Sequence, residues 1–225
     1  MKNNHNRIGP RWKWLLFCGV IAGPLFIITL LIEGATRADY DPIRHPGSSL
    51  ALGDFGWIQV VNFIVTGLLI VLFAIGLWRA LRNYQRSTWG PLLLGWLGIG
   101  LIGAGLFLTD PVSGYPSGTP NLIAQPTPHG QMHDLFSLGV FVGLPLACFV
   151  FTRVFIKRRE RSWAIYSLCS GLGMIITFVF ANIAFVQTPG FVEFGGLFQR
   201  ICLTIGLGWL AVLALKFFKL SSENN

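Results

Sequence analysis

Six stretches of this 225-residue chain run apolar for the length a helix needs to cross a bilayer, and that feature leaves few folds open. They cover residues 14–32, 57–78, 91–108, 135–155, 163–186 and 197–218, with Arg153, Arg200 and Lys216 as their only charges. A hydrocarbon layer about 30 Å thick takes roughly 20 residues of helix. Backbone polar groups in lipid must be satisfied within their own segment, and each stretch is about twice as long as a membrane β-strand, so helices follow. Charged residues make up 12% of the chain, about half the share of a soluble domain, which excludes a soluble globule and a disordered tail. The expectation is an all-α polytopic bundle of six transmembrane helices, a single domain over residues 1–225 in a lipid bilayer.

Lys2, Arg7, Arg11 and Lys13 precede the first stretch as they would in a signal peptide. The stretch is longer than an h-region of roughly 7–15 residues and no small-residue cleavage site follows, so it reads as a retained span. Further basic residues fall on the same side: Arg79, Arg82 and Arg86; Arg153, Lys157, Arg158, Arg159 and Arg161; and Lys216 and Lys219. Only Arg37, Arg44 and Arg200 fall on the other. The positive-inside rule then puts both termini in the cytoplasm and loops 33–56 and 109–128 outside a cell membrane. The net charge of +8 is topogenic, and no nucleic-acid partner is expected. Trp12, Trp14, Trp78, Trp89 and Trp163 mark inner ends and Trp57 an outer end, as an interfacial belt requires. Cys18, Cys148, Cys169 and Cys202 sit on four different spans without zinc or redox spacing and read as packing residues. Small residues along the third and fifth spans predict close helix approach, and Pro24 and Pro145 predict kinks.

Chemistry concentrates on the loop side. Every acid except Glu160 and Glu223 lies there, and so does every His except His5. Thr127 is a plausible N-cap and Pro128 suits a first helical position, so the fourth helix should begin before its apolar run. His129 and His133, four apart, then project from one face, with Ser137 a turn further on. Two His at this spacing can present metal ligands, Zn²⁺ foremost, with Asp41, His45 or Asp110 completing the set. The structural alternative is that these His and Asp tie the loops to the bundle rim. Gln59, Asn62, Asn182, Gln187, Gln199 and Arg200 lie at a similar depth in the spans, which predicts an outward-opening polar pocket. Arg200 needs an acid: Glu193 is the expected ion-pair partner, with Asp54 or Glu33 as alternatives.

The runs RADYDPIRHPGSSLALGDFGWIQVVNF (37–63), GLFLTDPVSG (105–114), PHGQMHD (128–134) and GGLFQRI (195–201) resemble the family catalogued as domain of unknown function 998. The resemblance covers essentially the whole chain and implies a six-span membrane protein, without implying an activity. It also implies recurrent polar positions at Asp41, His45, Ser49, Gly53, Asp110, His129, His133 and Arg200. More loosely, the inventory of His, Asp and Ser is similar to that of the zinc-dependent membrane hydrolases that include alkaline ceramidases and adiponectin receptors. Those proteins have seven spans, with ligands inside the helices.

Three readings follow. The first is a metal-assisted hydrolase acting on a lipid or lipid-linked substrate. His129, His133 and either His45 or Asp110 would be its metal ligands, and Asp41, Asp134 and Ser49 its catalytic candidates. The second is binding or transport of a small polar solute. The third is a structural or partner-binding role in which the cluster only fixes the loops. A haem site is disfavoured because no span has a His at its middle, and ion conduction because the deep halves of the spans lack ionisable residues to line a path.

Overall fold

A computed structural model describes residues 12–84 and 87–223. His5 and the basic residues Lys2, Arg7, Arg11 and Arg86 lie outside them. Six helices form: α1 (Lys13–Thr36), α2 (Gly56–Tyr84), α3 (Trp89–Leu106), α4 (Pro128–Lys157), α5 (Arg161–Phe185) and α6 (Gly195–Glu223). All six positions hold a helix long and apolar enough to cross a membrane, and the described residues form no named strand. The expected six-span, all-helical architecture is the one adopted.

Each helix packs on the next in sequence, and α6 returns against α1, so the six form a closed ring. Lipid does not drive apolar faces together, so association rests on close packing. Small residues supply it where helices meet. A Cβ on Gly67 would stand 2.6 Å from the Gly98 carbonyl oxygen, and one on Gly98 would stand 2.8 Å from that of Gly67, so α2 and α3 approach backbone to backbone. Large side chains such as Ile28, Leu68, Ile99 and Ile176 are exposed on the outside of the ring, as a lipid-facing wall requires. The inside is sealed by Phe26, Phe73, Phe151 and Trp209, with the indole N–H of Trp209 on α6 donating to Ser167 Oγ on α5 at 3.0 Å.

Proline acts differently at its two expected positions. Pro24 lies inside α1, which continues through it. In α4 a π-helical segment, Gly139–Gly143, immediately precedes Pro145. Pro145 has no N–H to offer the carbonyl four residues back, and a π-turn redistributes the interrupted ladder.

The two ends of the ring differ. At the basic end, Glu160 is held by Arg158 at 3.0 Å, by Lys216 at 2.6 Å and by the Tyr84 hydroxyl, which together tie α2, α4, α5 and α6. Burial opposes ionisation of Glu160, but these three partners hold its carboxyl below the ordinary value. At the opposite end, the loops spanning 37–55 and 107–127 fold over the ring. The first contains a 3₁₀ turn, Gly47–Ala51.

Candidate functional site

Under these loops the ring encloses a cavity of about 630 Å³. Its walls are largely apolar: Phe26 and Leu30 of α1, Phe63 of α2, Leu101 of α3, Phe141 of α4 and Phe178 of α5. Its polar groups are Ser48, Gln59, Thr109, Asp110, His133, Asp134, Ser137, Asn182 and Gln199, contributed by α2, α4, α5, α6 and both loops. An apolar chamber of this size with a few convergent polar groups is the usual form of a small-molecule site.

Two groups on the wall stand out by their hydrogen bonding. Gln59 is 0% exposed; its carbonyl accepts from Asn62 Nδ2 at 3.0 Å, while its own amide Nε2 is buried with no partner. Leaving such a donor unsatisfied costs about 1–3 kcal/mol. His133 is buried on α4 with Nδ1 2.9 Å from both the Ala104 and Phe107 carbonyl oxygens at the end of α3. Carbonyls only accept, so Nδ1 carries a proton, and in the neutral ring Nε2 is the lone-pair nitrogen.

The start of α4 explains why His133 is so placed. Thr127 caps the helix as expected, its Oγ1 accepting from Gly130 N–H at 3.1 Å with Pro128 behind it. Thr127 donates in turn to Asp110, through Oγ1–H at 2.7 Å and N–H at 2.8 Å. Both carboxylate oxygens of Asp110 are thereby engaged, and a Cβ on Gly130 would strike that carboxylate. Asp110 is a clamp between the ends of α3 and α4. His129 is exposed, its ring 5.6 Å from that of Phe107.

His45 belongs to another assembly. The Asp41 N–H donates to His45 Nδ1 at 2.9 Å, and the His45 ring lies 5.4 Å from that of Tyr40 and 5.3 Å from that of Tyr115. Burial pushes the imidazole below its ordinary pKa, against the pull of Asp41. The carboxylate of Asp41 accepts from Ile43 N–H at 2.8 Å, shaping the turn. Arg200 sits beneath, donating to Tyr40 Oη at 2.6 Å and to the carbonyls of His45 at 3.1 Å and Gly196 at 3.2 Å. Burial raises the Tyr40 hydroxyl to about 12 even with that guanidinium beside it. The first N–H groups of α6 are taken by the same loop, Gly196 N–H by Arg44 O and Leu197 N–H by Ile43 O.

This arrangement corrects the expected Arg200–Glu193 pair. Glu193 is bound by Arg44 at 2.7 Å, Glu33 by Arg37 at 2.9 Å, and the Asp54 backbone carbonyl also receives Arg37. A hydroxyl, two carbonyls and the Tyr40 ring face, 5.5 Å away, solvate Arg200 in place of an acid. The proposed ligands are likewise dispersed: His45 lies in the loop, His129 on the surface and His133 in the cavity wall, with Asp110 occupied by Thr127. Among the described residues no group of three or more His, Cys, Asp or Glu converges as a metal set must. Ser49 is 0% exposed in the 3₁₀ turn, its Oγ without a partner, and it is Ser48, not Ser49, that reaches the cavity. Asp134 is exposed at the cavity's edge. Of the expected pocket residues, Gln59, Asn182 and Gln199 line the cavity, whereas Asn62, Gln187 and Arg200 face elsewhere. Tyr40 and Tyr115 were not anticipated. The proline and glycine turns around them hint at a folded loop, but nothing local pairs them with His45.

The fold and its cavity define a class: a polytopic six-helix membrane protein with a ligand-sized chamber inside one end of the ring. The chain belongs to the family described as "Protein of unknown function (DUF998)", whose model matches residues 20–216. No curated protein and no solved structure matches it.

Proposed function

We propose that this protein binds a single-chain amphiphile in the cavity, a head-group oxygen accepting from the Gln59 amide, a head-group hydroxyl or N–H donating to His133 Nε2, and its chain along the aromatic wall. The observation that carries this reading is the unpartnered Gln59 amide, a buried donor on a residue that lines the apolar chamber. A carbonyl, phosphate or carboxylate oxygen would satisfy it, and Phe63, Phe141 and Phe178 would take the chain. The distribution of Lys and Arg supports a cell-membrane orientation with both termini cytoplasmic and the cavity at the outer face.

Hydrolysis of that ligand is a second reading, favoured by the His133 tautomer, whose Nε2 is free to take a proton from water. Neither reading invokes Zn²⁺, because among the described residues no three His, Cys, Asp or Glu converge. Native mass spectrometry of protein extracted in mild detergent tests the binding. A co-purifying amphiphile is expected in wild type and in His129→Ala, and it should be depleted in Gln59→Leu and His133→Leu. Equal retention in all four proteins would overturn the assignment.

A further inference from the structure

At the basic end a second concavity of about 500 Å³ lies on the outside of the ring, between the end of α4 and the start of α5. Its floor is apolar: Ile156, Ile165 and Leu168 line it and remain exposed, as lipid-facing residues do. Its rim carries Arg159 and Arg161. The charge around it is unbalanced for a definite reason. Glu160, the acid between the two arginines, is consumed by Arg158, Lys216 and Tyr84 on the inner side of the turn. The guanidinium groups of Arg159 and Arg161 make no hydrogen bond or ion pair with any described residue, the backbone N–H of Arg159 being the only one of its donors engaged, by the Ile156 carbonyl at 2.9 Å. The turn also holds Arg159 at φ +60°, a left-handed conformation that costs a non-glycine residue roughly 1–2 kcal/mol. Arg153 and Lys157 on the last turns of α4 are exposed and add to the same field.

We propose that this groove is a binding site for an anionic phospholipid, its phosphate held by Arg159 and Arg161 and one acyl chain lying along Ile156, Ile165 and Leu168. Guanidinium groups match phosphate oxygens through paired N–H donors, and a basic recess between spans at the membrane surface suits a charged head group. The apolar floor below the arginines distinguishes a lipid from a free anion, because inorganic phosphate leaves that floor uncovered. The site is separate from the cavity at the other end of the ring.

The test titrates detergent-purified protein with phosphatidylglycerol, with phosphatidylcholine of the same chains, and with inorganic phosphate, reading bound lipid by native mass spectrometry. Wild type is expected to prefer phosphatidylglycerol by about tenfold, and Arg159→Gln/Arg161→Gln to lose that preference. Arg79→Gln, whose guanidinium lies 4.7 Å from the Trp12 ring elsewhere at the same end, should retain it. The Arg159→Lys/Arg161→Lys protein, which keeps the charge, should retain part of the preference and so separates recognition from folding. The proposal fails if wild type shows no preference, if the double Gln variant keeps it, if Arg79→Gln loses it equally, or if inorganic phosphate displaces the lipid at matched concentration.

Discussion

His45 and His133 sit at the same end of the bundle with Nδ1 held by backbone, yet they are opposite tautomers with opposite consequences. At His45 an N–H donates to Nδ1, so any ring proton is on Nε2, and the ring is flanked by Tyr40 and Tyr115. At His133 two carbonyls face Nδ1, so the proton is there and Nε2 is bare in the wall of a chamber. In the loop assembly Tyr40, Asp41 and Arg44 have partners within the protein and Arg200 uses both terminal nitrogens there, leaving its Nε and the Ser49 hydroxyl buried without one. The cavity leaves Gln59 short of a partner. Residues of similar chemistry thus form a strut in one place and line an apolar chamber in the other. The place each group takes in the fold, not residue type, separates them.

The largest effect should come from breaking the strut. Arg200→Met removes the guanidinium's bonds to Tyr40 Oη and to the His45 and Gly196 carbonyls, while the Tyr40 hydroxyl keeps the His45 and Pro46 carbonyls as acceptors, and we expect a loss of about 1.5–3 kcal/mol in thermal or denaturant unfolding. Amphiphile retention by the folded fraction should be unchanged. Gln59→Leu should do the reverse. Asn62 Nδ2 keeps the Phe26 carbonyl, at 3.2 Å, so removing the orphaned amide is expected to leave ligand-free stability equal or higher by up to about 1 kcal/mol while binding falls. A marked loss of ligand-free stability would show that the amide has a structural partner and would remove the main support for the site.

The third test is pH. The folded His45 titrates below its unfolded value, so between the two the unfolded chain binds more protons. The stability tied to a neutral His45 is therefore complete above about pH 6.5 and is lost as pH falls through the window beneath it. His45→Asn supplies a neutral acceptor for the Asp41 N–H, and its unfolding curves should show a flatter dependence across that window. The smallest effect belongs to Glu193→Gln. Its pair with Arg44 is partly exposed, so a change below about 0.5 kcal/mol is expected, and a loss rivalling that of Arg200→Met would revive a direct role for Glu193 at Arg200.

What could be read along the chain was whatever depends on near neighbours. The six apolar runs specify six helices because hydrophobic length and internal backbone bonding are properties of a segment. The start of α4 at Pro128 was legible too, since an N-cap and its target lie three residues apart. The fate of each polar residue was not. Arg200 meets Tyr40, 160 positions away, and Arg44 meets Glu193, 149 away, while Asp110 is taken by Thr127 before any ligand set can use it. Spacing brought His129 and His133 to one helix face, but packing buried one against the end of α3 and left the other outside. The sequence by itself determined the spans and the inventory of polar groups. Only the closed ring decided which of those groups are saturated and which face the cavity, because a buried donor or acceptor is satisfied by whatever the fold carries to within about 3 Å of it.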